Sequence, residues 1–228
     1  MTLTEVAERA GLGKAVTRRL LMTLESLGYV GRDRRYFFLL PRTLELGYAY
    51  LTSVPLTEMV QPRLRALASA FDEDASLAIL DGERIVYIAR VNTGYLVTSG
   101  LGVGDRVPAH TVSPGLVLLA ELPPDELDAY FATSTRKRFT GNTVVDEADL
   151  RAELNVVRKQ GYAIVDGRLA PNVLTIAVPV RDGTGRAIAS VKLGGQNAKA
   201  SPGQMLEEFL PALLEQAREI SYDLGLRS

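Results

Sequence analysis

The order of elements in the first 40 residues is the feature that most restricts the fold of this chain. Thr2 and Glu5 have the T-x-x-E spacing of a capping box, and Gly11 is placed to end a short helix. A second helix is predicted from about Gly13 to Leu27. Two short helices joined by a glycine-containing turn are typical of a helix-turn-helix, with an ordinary two-helix hairpin as the alternative on this stretch alone.

The second helix has a basic face that suits contact with DNA. A helical wheel groups four apolar side chains on one face, which we expect to be buried: Val16, Leu20, Leu24 and Leu27. The rest of the helix carries the residues that we expect to contact bases and phosphates in the major groove: Lys14, Ala15, Thr17, Arg18 and Arg19. Gly13 stands at the cap position without a side-chain acceptor, which weakens the start of this helix.

A β-hairpin is predicted directly after the second helix. Gly28 ends the helix, Tyr29 and Val30 begin a short β segment, and residues 36–40 form a second strand. The turn contains three arginines, which we expect to contact phosphate or the minor groove: Arg32, Arg34 and Arg35. Such contacts supply affinity and salt dependence rather than sequence recognition. The hairpin therefore favours a winged helix-turn-helix over a plain two-helix hairpin.

Charge is distributed unevenly along the chain. Residues 1–53 contain eight Lys and Arg against five Asp and Glu, a net charge of +3. The remaining residues contain 18 basic and 22 acidic side chains, a net charge of −4. A basic first segment on an acidic remainder indicates that nucleic acid binds at one end only.

Composition excludes several classes of chemistry. The chain has no cysteine, which excludes disulfides, thiolate zinc sites and cysteine nucleophiles. A His-pair metal site or a Ser-His-Asp triad would depend wholly on the one histidine, His110, so no metal or cofactor is expected. No apolar run reaches the roughly 18 residues of a membrane span, and the first residues do not resemble a signal peptide, so we expect a cytoplasmic protein.

The pattern after residue 40 predicts a linker helix and a larger mixed domain. Pro41 opens a helix that is broken at Pro55, and its many apolar positions predict that it packs either on its own chain or on a second one. Strands are predicted at 75–80, 85–90, 95–99, 162–165, 175–180 and 186–194. Helices separate several of them, and tight hairpin turns join others. We therefore predict an α+β fold with an antiparallel sheet, divided into a winged helix-turn-helix (1–40), a linker helix (41–55) and a small-molecule sensor domain (56–228).

The last predicted strand places a lysine in an apolar segment. Strand alternation puts Lys192 on one face with Ser190 and Gly194. A buried ammonium must find water or an anion, so Lys192 would bind a carboxylate if its face lines a pocket; in the alternative, this face meets solvent. Ser113 and the N–H groups after Pro114 lie at a helix start, which also favours anions. A pocket with these two walls would suit a small organic acid.

Four segments, in this order, resemble the IclR family of bacterial transcription regulators: 3–30, PRTLELGYAYL (41–51), GDRVPAHTVSPGLVLLA (104–120) and 161–190. The resemblance covers essentially the whole chain. It implies a winged helix-turn-helix joined by a linker helix to a GAF-like effector domain, and homodimers, often paired into tetramers, that bind palindromic operators in double-stranded DNA. The ELGYAYL form is most similar to the branch that regulates aromatic-acid catabolism, of the protocatechuate and 4-hydroxybenzoate type.

The same resemblance implies where an effector binds. By motif alignment, the contact residues are Leu96, Ser99, Val107, Ser113, Pro114, Val165, Thr175, Lys192 and Gly194. Several relatives that bind short keto acids have polar groups where this chain has Val165 and Gly194, so a larger or less polar ligand, such as an aromatic acid, is expected. Arg90 and Arg106 match family positions that brace a strand and a loop. His110 is expected to organise its loop, with ligand contact and metal binding as lesser alternatives.

Members of the family usually have a further helix ahead of the segment that begins here at Met1. That helix packs on the helix-turn-helix and helps to pair two DNA-binding domains. In its absence we expect an uncovered apolar face that includes Leu3, Val6 and Leu21.

Three classes of function follow from these observations. The first is a regulator whose operator affinity is controlled by a small organic acid through a population shift. The second is an interaction module that dimerises with relatives. The third, an enzyme acting on a small acid, is disfavoured because the chain has one histidine and no cysteine, phosphate loop or metal-ligand cluster. The regulator hypothesis accounts for both the basic first segment and the lysine in the last strand.

Overall fold

The computed structural model of the chain describes residues 1–53, 56–93, 101–196 and 200–225. The chain divides into two compact units, Met1–Pro55 and Leu56–Ser228, which we call the head and the body. Within the described residues, the head has three helices and a two-stranded hairpin, and the body has a six-stranded antiparallel sheet with helices packed on it. The predicted α+β class is confirmed.

The head begins with helix α1 (Leu3–Ala10), which is capped as the sequence predicts. The backbone N–H of Thr2 donates to Oε2 of Glu5 at 2.7 Å, and the N–H of Glu5 donates to Oγ1 of Thr2 at 3.4 Å. Both halves of the capping box are therefore formed. Gly11 ends the helix in the left-handed conformation, with φ of 63°.

Helix α2 (Lys14–Ser26) buries a different face from the predicted one. Thr17 and Leu21 are buried against α1 and the strand that follows α2. The four apolar residues of the predicted buried face are instead exposed: Val16, Leu20, Leu24 and Leu27. The buried line lies one residue further along the helix, a rotation of about 100°. The expected exposure of Leu21 is therefore also wrong.

The predicted wing is present as strands β1 (Val30–Asp33) and β2 (Tyr36–Leu39). Asp33 pairs with Tyr36, so Arg34 and Arg35 form the turn between them. The start of the chain joins the other edge of β2. The terminal amine of Met1 donates to the carbonyl of Phe37 at 2.8 Å, and the N–H of Phe37 donates to the carbonyl of Met1 at 2.7 Å. These two bonds fix the wing to the beginning of α1.

Helix α3 (Thr43–Ser53) ends the described part of the head, and α4 (Leu56–Phe71), with Pro62 inside it, begins the body. Three apolar side chains of α3 are mostly exposed: Leu44, Leu46 and Tyr48. Packing on its own chain, one of the two alternatives for this helix, therefore leaves these side chains largely uncovered. In the part of the chain that the structure describes, every helix is too short or too polar to cross a bilayer.

The sheet of the body has the strand order β5-β4-β3-β8-β7-β6, with antiparallel neighbours throughout. Its strands are β3 (Ala75–Asp81), β4 (Arg84–Val91), β5 (Arg106–Pro108), β6 (Ala163–Asp166), β7 (Val173–Arg181) and β8 (Ala187–Gln196). Strand β5 was not predicted from the sequence, and the strand predicted at 95–99 lies outside the described residues. Both predicted hairpin turns are present, between β3 and β4 and between β7 and β8.

The other helices of the body are α5 (Ser113–Glu121), α6 (Pro124–Thr133), α7 (Glu147–Gln160), α8 (Pro202–Gln204) and α9 (Leu210–Gly225). A π-helical turn, Met205–Phe209, joins α8 to α9. Helix α7 is capped at both ends. The carboxylate of Asp146 accepts hydrogen bonds from the N–H groups of Ala148 and Asp149, and Gly161 ends the helix at φ 78°.

Both faces of the sheet are covered by helices. On one face, Ala78 and Ala177 pack in a core with Leu116 of α5 and Leu154 of α7. On the other face, Ile176 and its neighbours on alternate positions are also fully buried. Helices α4 and α9 contact each other and strands β4 and β7. A side chain that points from the sheet towards α5 and α7 is therefore inside the protein, which decides the environment of Lys192.

Candidate functional site

The predicted DNA contacts of the head lie on its surface, with one exception. Four of those on α2 are exposed: Lys14, Ala15, Arg18 and Arg19. The exception is Thr17, which is 2% exposed and whose hydroxyl donates to the carbonyl of Gly13 at 3.1 Å. This side chain faces the interior of the head, so its assignment as a base contact is wrong. Thr17 was predicted as a contact because it is a polar residue in the first half of the helix, whereas it lies on the buried line with Leu21.

The three arginines of the wing are all exposed. Arg32 lies in β1, whereas Arg34 and Arg35 form the tip. Arg34 has φ of 52°, a left-handed conformation that is uncommon for a residue with a side chain. The guanidinium of Arg35 donates to the hydroxyl of Tyr36 at 3.1 Å, which orients one charge along the strand. The exposed cations of α2 and the wing give the head two basic elements that can contact a polyanion.

Arg42 stabilises the C-terminal end of α2. Nη1 of Arg42 donates to the carbonyl of Leu27 at 2.7 Å, and its guanidinium lies 5.3 Å from the centre of the Tyr29 ring. A cation at the C-terminus of a helix is favourable because the last carbonyls lack partners within the helix. Arg42 was not singled out in the sequence, and the structure gives it this positioning role.

The body contains a cavity of about 290 Å³ between the sheet and the start of α5. Its walls combine apolar side chains with three cations. The lining residues are Tyr87, Arg90, Leu101, Thr111, Val112, Val165, Arg168, Leu169, Ala170, Val173, Thr175, Lys192 and Gly195. Ligand pockets commonly measure roughly 300–1,000 Å³, so this one suits a small ligand.

Strand register places polar side chains in one row across the sheet. Arg90 is opposite Ser76, Ser76 is opposite Lys192, Lys192 is opposite Ala177, and Ala177 is opposite Ala163. Residues directly opposite each other in antiparallel strands share a face, and here that face is the one covered by α5 and α7. Lys192 and Arg90 therefore both lie on the floor of the cavity. The strand that carries Ser76 runs between their two strands.

Lys192 is a buried ammonium within this row. The residue is 5% exposed, and no described residue forms a hydrogen bond or ion pair with its Nζ. Burial lowers the pKa of Lys192 to about 8, with Arg90 acting in the same direction and Asp74 and Glu73 opposing it. The side chain is therefore still mostly charged at neutral pH, and an anion in the cavity would find a desolvated cation.

Ser76 lies between the two cations of the row. It is buried, and its Oγ has no hydrogen-bond partner in the described part of the chain. A buried hydroxyl without a partner is destabilising by about 1–3 kcal/mol, so such a group often has a functional role. Here the hydroxyl is positioned beside two groups that attract an anion.

The other two cations of the cavity already have carboxylate partners. Nη2 of Arg90 donates to Oδ2 of Asp74 at 2.9 Å, and Nη2 of Arg168 donates to Oε1 of Glu153 at 2.6 Å. The guanidinium of Arg90 also lies 5.8 Å from the centre of the Tyr87 ring. Burial raises the pKa of the Tyr87 phenol to about 12, so it stays protonated. Lys192 thus differs from both arginines, because no carboxylate of the described residues is bonded to it.

Ser113, at the helix start that was predicted to favour anions, forms a hydrogen bond within the protein. Oγ of Ser113 donates to Oγ1 of Thr175 at 2.8 Å, and both side chains are buried. Thr175 lines the cavity, whereas Ser113 lies behind it. Ser113 therefore reaches the cavity only through its bond to Thr175.

The predicted effector contacts are distributed as follows. Val165, Thr175 and Lys192 come together in the cavity wall. Val107 and Pro114 are buried away from the lining, Val107 in the core around α5. Leu96 and Ser99 lie outside the described residues. Gly194 is also displaced from the lining.

Gly194 and Gly195 exchange the roles that strand alternation assigned to them. Gly194 has φ of 99°, and a Cβ atom there would lie 2.5 Å from the carbonyl oxygen of Leu174. This irregularity interrupts the alternation, and Gly195 lines the cavity in place of Gly194. Only glycine fits this conformation and this close approach. Sequence alternation could not show the change because glycine has no side chain to place.

The remaining groups singled out in the sequence lie outside the lining. His110 is buried, its Nε2 is 3.1 Å from the carbonyl oxygen of Lys137, and burial lowers its pKa. This bond joins two loops, which agrees with the expected organising role. Arg106 pairs with Asp81 on the adjacent hairpin. Among the described residues, no group of three His, Cys, Asp or Glu side chains is arranged to hold a metal ion.

A second, larger groove of about 590 Å³ lies beside α5 and α6. Its cation, Arg186, already pairs with Glu126 at 3.3 Å, and both side chains are well exposed. Glu121, at its edge, is bonded through both carboxylate oxygens to Arg181 at 2.8 Å. This groove therefore offers an anion a charge that is already compensated and hydrated, so we prefer the smaller cavity around Lys192 as the ligand site.

Comparison with family models gives two matches. The IclR helix-turn-helix domain matches residues 1–34. The model described as the bacterial transcriptional regulator IclR C-terminal domain matches residues 48–222. The two matches cover most of the head and most of the body.

Individual relatives agree with this result. The chain is 36% identical to the Pca regulon regulatory protein of Pseudomonas putida, over 98% of this chain and 77% of that protein. It is 32% identical to the p-hydroxybenzoate hydroxylase transcriptional activator of Acinetobacter baylyi, over 96% of this chain and 83% of that protein. A crystal structure of an IclR homologue complexed with 4-hydroxybenzoate, from Microbacterium hydrocarbonoxydans, has a TM-score of 0.77 and 25% identity, covering 98% of this chain and 91% of that one.

Proposed function

The chain belongs to the IclR family of bacterial transcriptional regulators, and on this premise we propose that a small aromatic carboxylic acid, bound beside Lys192, controls its affinity for operator DNA. Family membership makes it a DNA-binding regulator with an effector-binding C-terminal domain, rather than an enzyme. The identity of the acid, the contact residues and the assembly are the parts that we propose.

Lys192 is the observation on which the proposal rests. The residue is 5% exposed and lines the cavity, and its ammonium has no bonded carboxylate among the described residues. A carboxylate placed there would form a charge-assisted hydrogen bond and replace the hydration that burial removes. The unpartnered hydroxyl of Ser76, next to Lys192 in the row, is a second donor for the same carboxylate.

The rest of the cavity favours an aromatic ring over a short keto acid. Most of its other walls are apolar, with Leu101, Val112, Val165, Leu169 and Val173 around the polar floor. A volume of about 290 Å³ leaves room for one ring beyond the carboxylate. The relative from Acinetobacter activates transcription of a p-hydroxybenzoate hydroxylase, and the Microbacterium homologue binds 4-hydroxybenzoate, which supports the same class of effector.

In the head, we propose that α2 enters the major groove while the wing contacts the backbone. We retain as DNA contacts the exposed residues Lys14, Ala15, Arg18, Arg19, Arg32, Arg34 and Arg35. We also retain the division into a DNA-binding domain (1–40), a linker helix (41–55) and an effector domain (56–228). Because the operator is DNA, the place of action is the cytoplasm.

We further propose a homodimer, or a pair of dimers, on a palindromic operator. The apolar side chains exposed on α3 support this proposal, since a second copy would remove Leu44 and Leu46 from water. Binding of the acid favours one arrangement of the two protomers, and the linker helices change the spacing of the DNA-binding heads accordingly. Regulation is then a population shift between arrangements with different fit to the operator.

Isothermal titration calorimetry on the full chain tests the ligand. We expect 4-hydroxybenzoate or protocatechuate to bind, and pyruvate to bind more weakly. Lys192→Met should weaken binding of the aromatic acid by about 30-fold, equivalent to roughly 2 kcal/mol. Lys159→Met is the matched control, because Lys159 is exposed at the end of α7 and should leave affinity unchanged.

The same proteins should then be assayed on an operator selected from random duplex DNA. Acid should change the operator affinity of the wild type and of Lys159→Met, and change that of Lys192→Met only at much higher concentration. Absence of binding by every aromatic acid, or unchanged affinity in Lys192→Met, would overturn the proposed ligand site.

A further inference from the structure

Arg168 lies in the cavity wall and forms an ion pair with Glu153 of α7, in which one hydrogen bond is made where two could form. We propose that this pair recognises a hydroxyl group on the ring of the acid. The inference rests on the proposed function, and it makes the regulator selective for hydroxylated acids over the unsubstituted ring acid and over dicarboxylates.

The ion pair has one free donor and one free acceptor. Nη2 of Arg168 donates to Oε1 of Glu153 at 2.6 Å. Nη1 of Arg168 and Oε2 of Glu153 are both buried, and neither has a hydrogen-bond partner among the described residues. The side chain of Arg168 is 12% exposed and lines the cavity. Two unmet hydrogen-bonding atoms at one buried pair are costly in a protein interior, so a bound group that satisfies both is favoured.

A hydroxyl is the group that matches this pair. Its oxygen can accept a hydrogen bond from Nη1 of Arg168, and its hydrogen can be donated to Oε2 of Glu153. A second carboxylate could use only the donor and would be repelled by Glu153, whose charge already offsets that of Arg168. A bare ring edge would leave both atoms without partners. The pair therefore selects a neutral group that both donates and accepts.

Arg168 and Lys192 are attached to the cavity wall at separate points of the sheet. Lys192 shares its row with Ala163 at the beginning of β6, through Ala177. Arg168 follows the end of β6, five residues beyond Ala163, a backbone distance of up to roughly 16 Å along the strand direction. Both side chains are long and line the same cavity, so they approach the ligand from two directions. A ring between them would carry its carboxylate at one end and its hydroxyl at the other.

The backbone around Arg168 is held by bonds that do not involve the cavity. Its carbonyl accepts hydrogen bonds from Oγ1 of Thr143 at 2.7 Å and from Oγ1 of Thr140 at 3.2 Å. The N–H of Gly167 donates to the carbonyl of Val173 at 2.8 Å. Arg168 is therefore fixed at its backbone by one loop and at its guanidinium by α7. This anchoring suits a recognition group, because little further ordering is needed when the ligand binds.

The test measures how the benefit of the hydroxyl depends on Arg168. Calorimetry on the full chain would compare benzoate, 3-hydroxybenzoate, 4-hydroxybenzoate and terephthalate. In the wild type, at least one hydroxybenzoate should bind tenfold or more tightly than benzoate, and terephthalate should bind no better than benzoate. In Arg168→Met the advantage of that hydroxybenzoate should fall below threefold, while benzoate affinity stays within about twofold of the wild type.

Two comparisons separate recognition from a structural role. Lys192→Met should weaken benzoate and hydroxybenzoate by the same factor, because it removes the carboxylate contact common to both. Arg186→Met removes an arginine whose partner, Glu126, lies outside the cavity, and should change neither affinity. If Arg168→Met does not fold because Glu153 is left buried without its partner, the double variant Arg168→Met/Glu153→Met removes both charges and answers the same question.

The outcomes distinguish this inference from the proposed function. If the wild type binds none of the four acids, the proposed function fails and the inference fails with it. If the wild type binds benzoate and both hydroxybenzoates equally, or if Arg168→Met loses affinity for all acids by the same factor, the inference alone is overturned. Loss of discrimination with retained benzoate binding is the result that supports it.

Discussion

The head and the body place their charged functional groups in opposite environments. In the described part of the head, few side chains are buried, among them Ala7, Thr17, Leu21 and Val30, and the cations of α2 and the wing all face solvent. In the body, both faces of the sheet are covered, and Lys192 and Arg168 lie in the wall of an internal cavity. The functional cations of the head therefore lie on its surface, whereas those of the body line an internal cavity.

This difference corresponds to two kinds of recognition. An exposed arginine costs little to keep in the folded state, attracts any polyanion and is weakened by salt. A buried lysine is destabilising until an anion of the right shape enters, so it discriminates among ligands and is screened little by salt. The head therefore supplies general affinity for DNA, and the body supplies chemical selectivity for the effector.

The largest predicted effect compares equal truncations in the two units. Leu116 of α5 is fully buried, so Leu116→Ala should lower the free energy of unfolding by about 2–5 kcal/mol. Leu20 of α2 is 50% exposed, so Leu20→Ala should change it by less than about 0.5 kcal/mol. Urea denaturation of the full chain measures both. A loss at Leu20 comparable to that at Leu116 would show that the exposed line of α2 is covered in solution, and the contrast between the units would fail.

The second prediction concerns pH and separates the buried cation from the exposed ones. Bound carboxylate favours the charged form of Lys192, so the pKa of Lys192 is higher in the complex than its value of about 8 in the free protein. Binding then takes up a proton above pH 8. We expect benzoate affinity to be nearly constant below pH 7 and to fall roughly tenfold per unit well above pH 8.

Calorimetry with benzoate from pH 6 to 10 checks this prediction. Benzoate has no phenol that would titrate in this range, and Lys192→Met should remove the pH dependence. A flat profile for the wild type up to pH 10 would mean that Lys192 does not contact the carboxylate. The salt dependence of operator binding, which depends on the exposed cations of the head, should keep the same slope from pH 7 to pH 9.

The two units also differ in what the sequence could predict. Caps, turns and the wing are local features, so Thr2, Gly11 and the hairpin itself were identified correctly, although Arg32 lies in β1 and not in the predicted turn. The buried face of α2 was not, because the head has more apolar side chains than its small core buries. The wheel grouped Leu20 with three other apolar residues, whereas α1 and β1 pack against the line that contains Leu21.

In the body, the site residues within strands could be predicted from the alternation of side chains, whereas those in loops could not. Lys192 was found because a single charged residue stood out in a strand of period two. The register shift between Leu77 and Ala78 changes which residues of β4 share a face, so Tyr87 and Arg90 line the cavity together although their spacing is odd. Arg168 follows a strand without any periodic pattern, and its partner Glu153 lies on a separate helix. Neither its burial nor its partner is encoded in local sequence.

The third prediction concerns the charges at the tip of the wing. The double variant Arg34→Ala/Arg35→Ala should reduce affinity for every duplex and flatten the slope of log affinity against log salt by roughly 2, if both side chains contact phosphate. Its affinity for benzoate should equal that of the wild type, because these residues belong to the head. Fluorescence anisotropy with operator and random duplexes between 50 and 300 mM salt provides the measurement. Unchanged slopes would remove the wing from the DNA interface.

The smallest predicted effect tests Thr17, the predicted DNA contact of α2 that the structure places in the interior. Thr17→Val keeps the size of the side chain and removes the hydroxyl, whose bond to the carbonyl of Gly13 is internal to the helix. Operator affinity should change by less than twofold, with a loss of at most about 1 kcal/mol in stability. Arg18→Ala is the comparison, since loss of an exposed base contact should cost about 1–3 kcal/mol of discrimination between operator and random DNA. If Thr17→Val reduced that discrimination as much as Arg18→Ala, the buried line of α2 would have to turn outward on DNA. The head would then rearrange on binding, and its surface charges would no longer define its contacts.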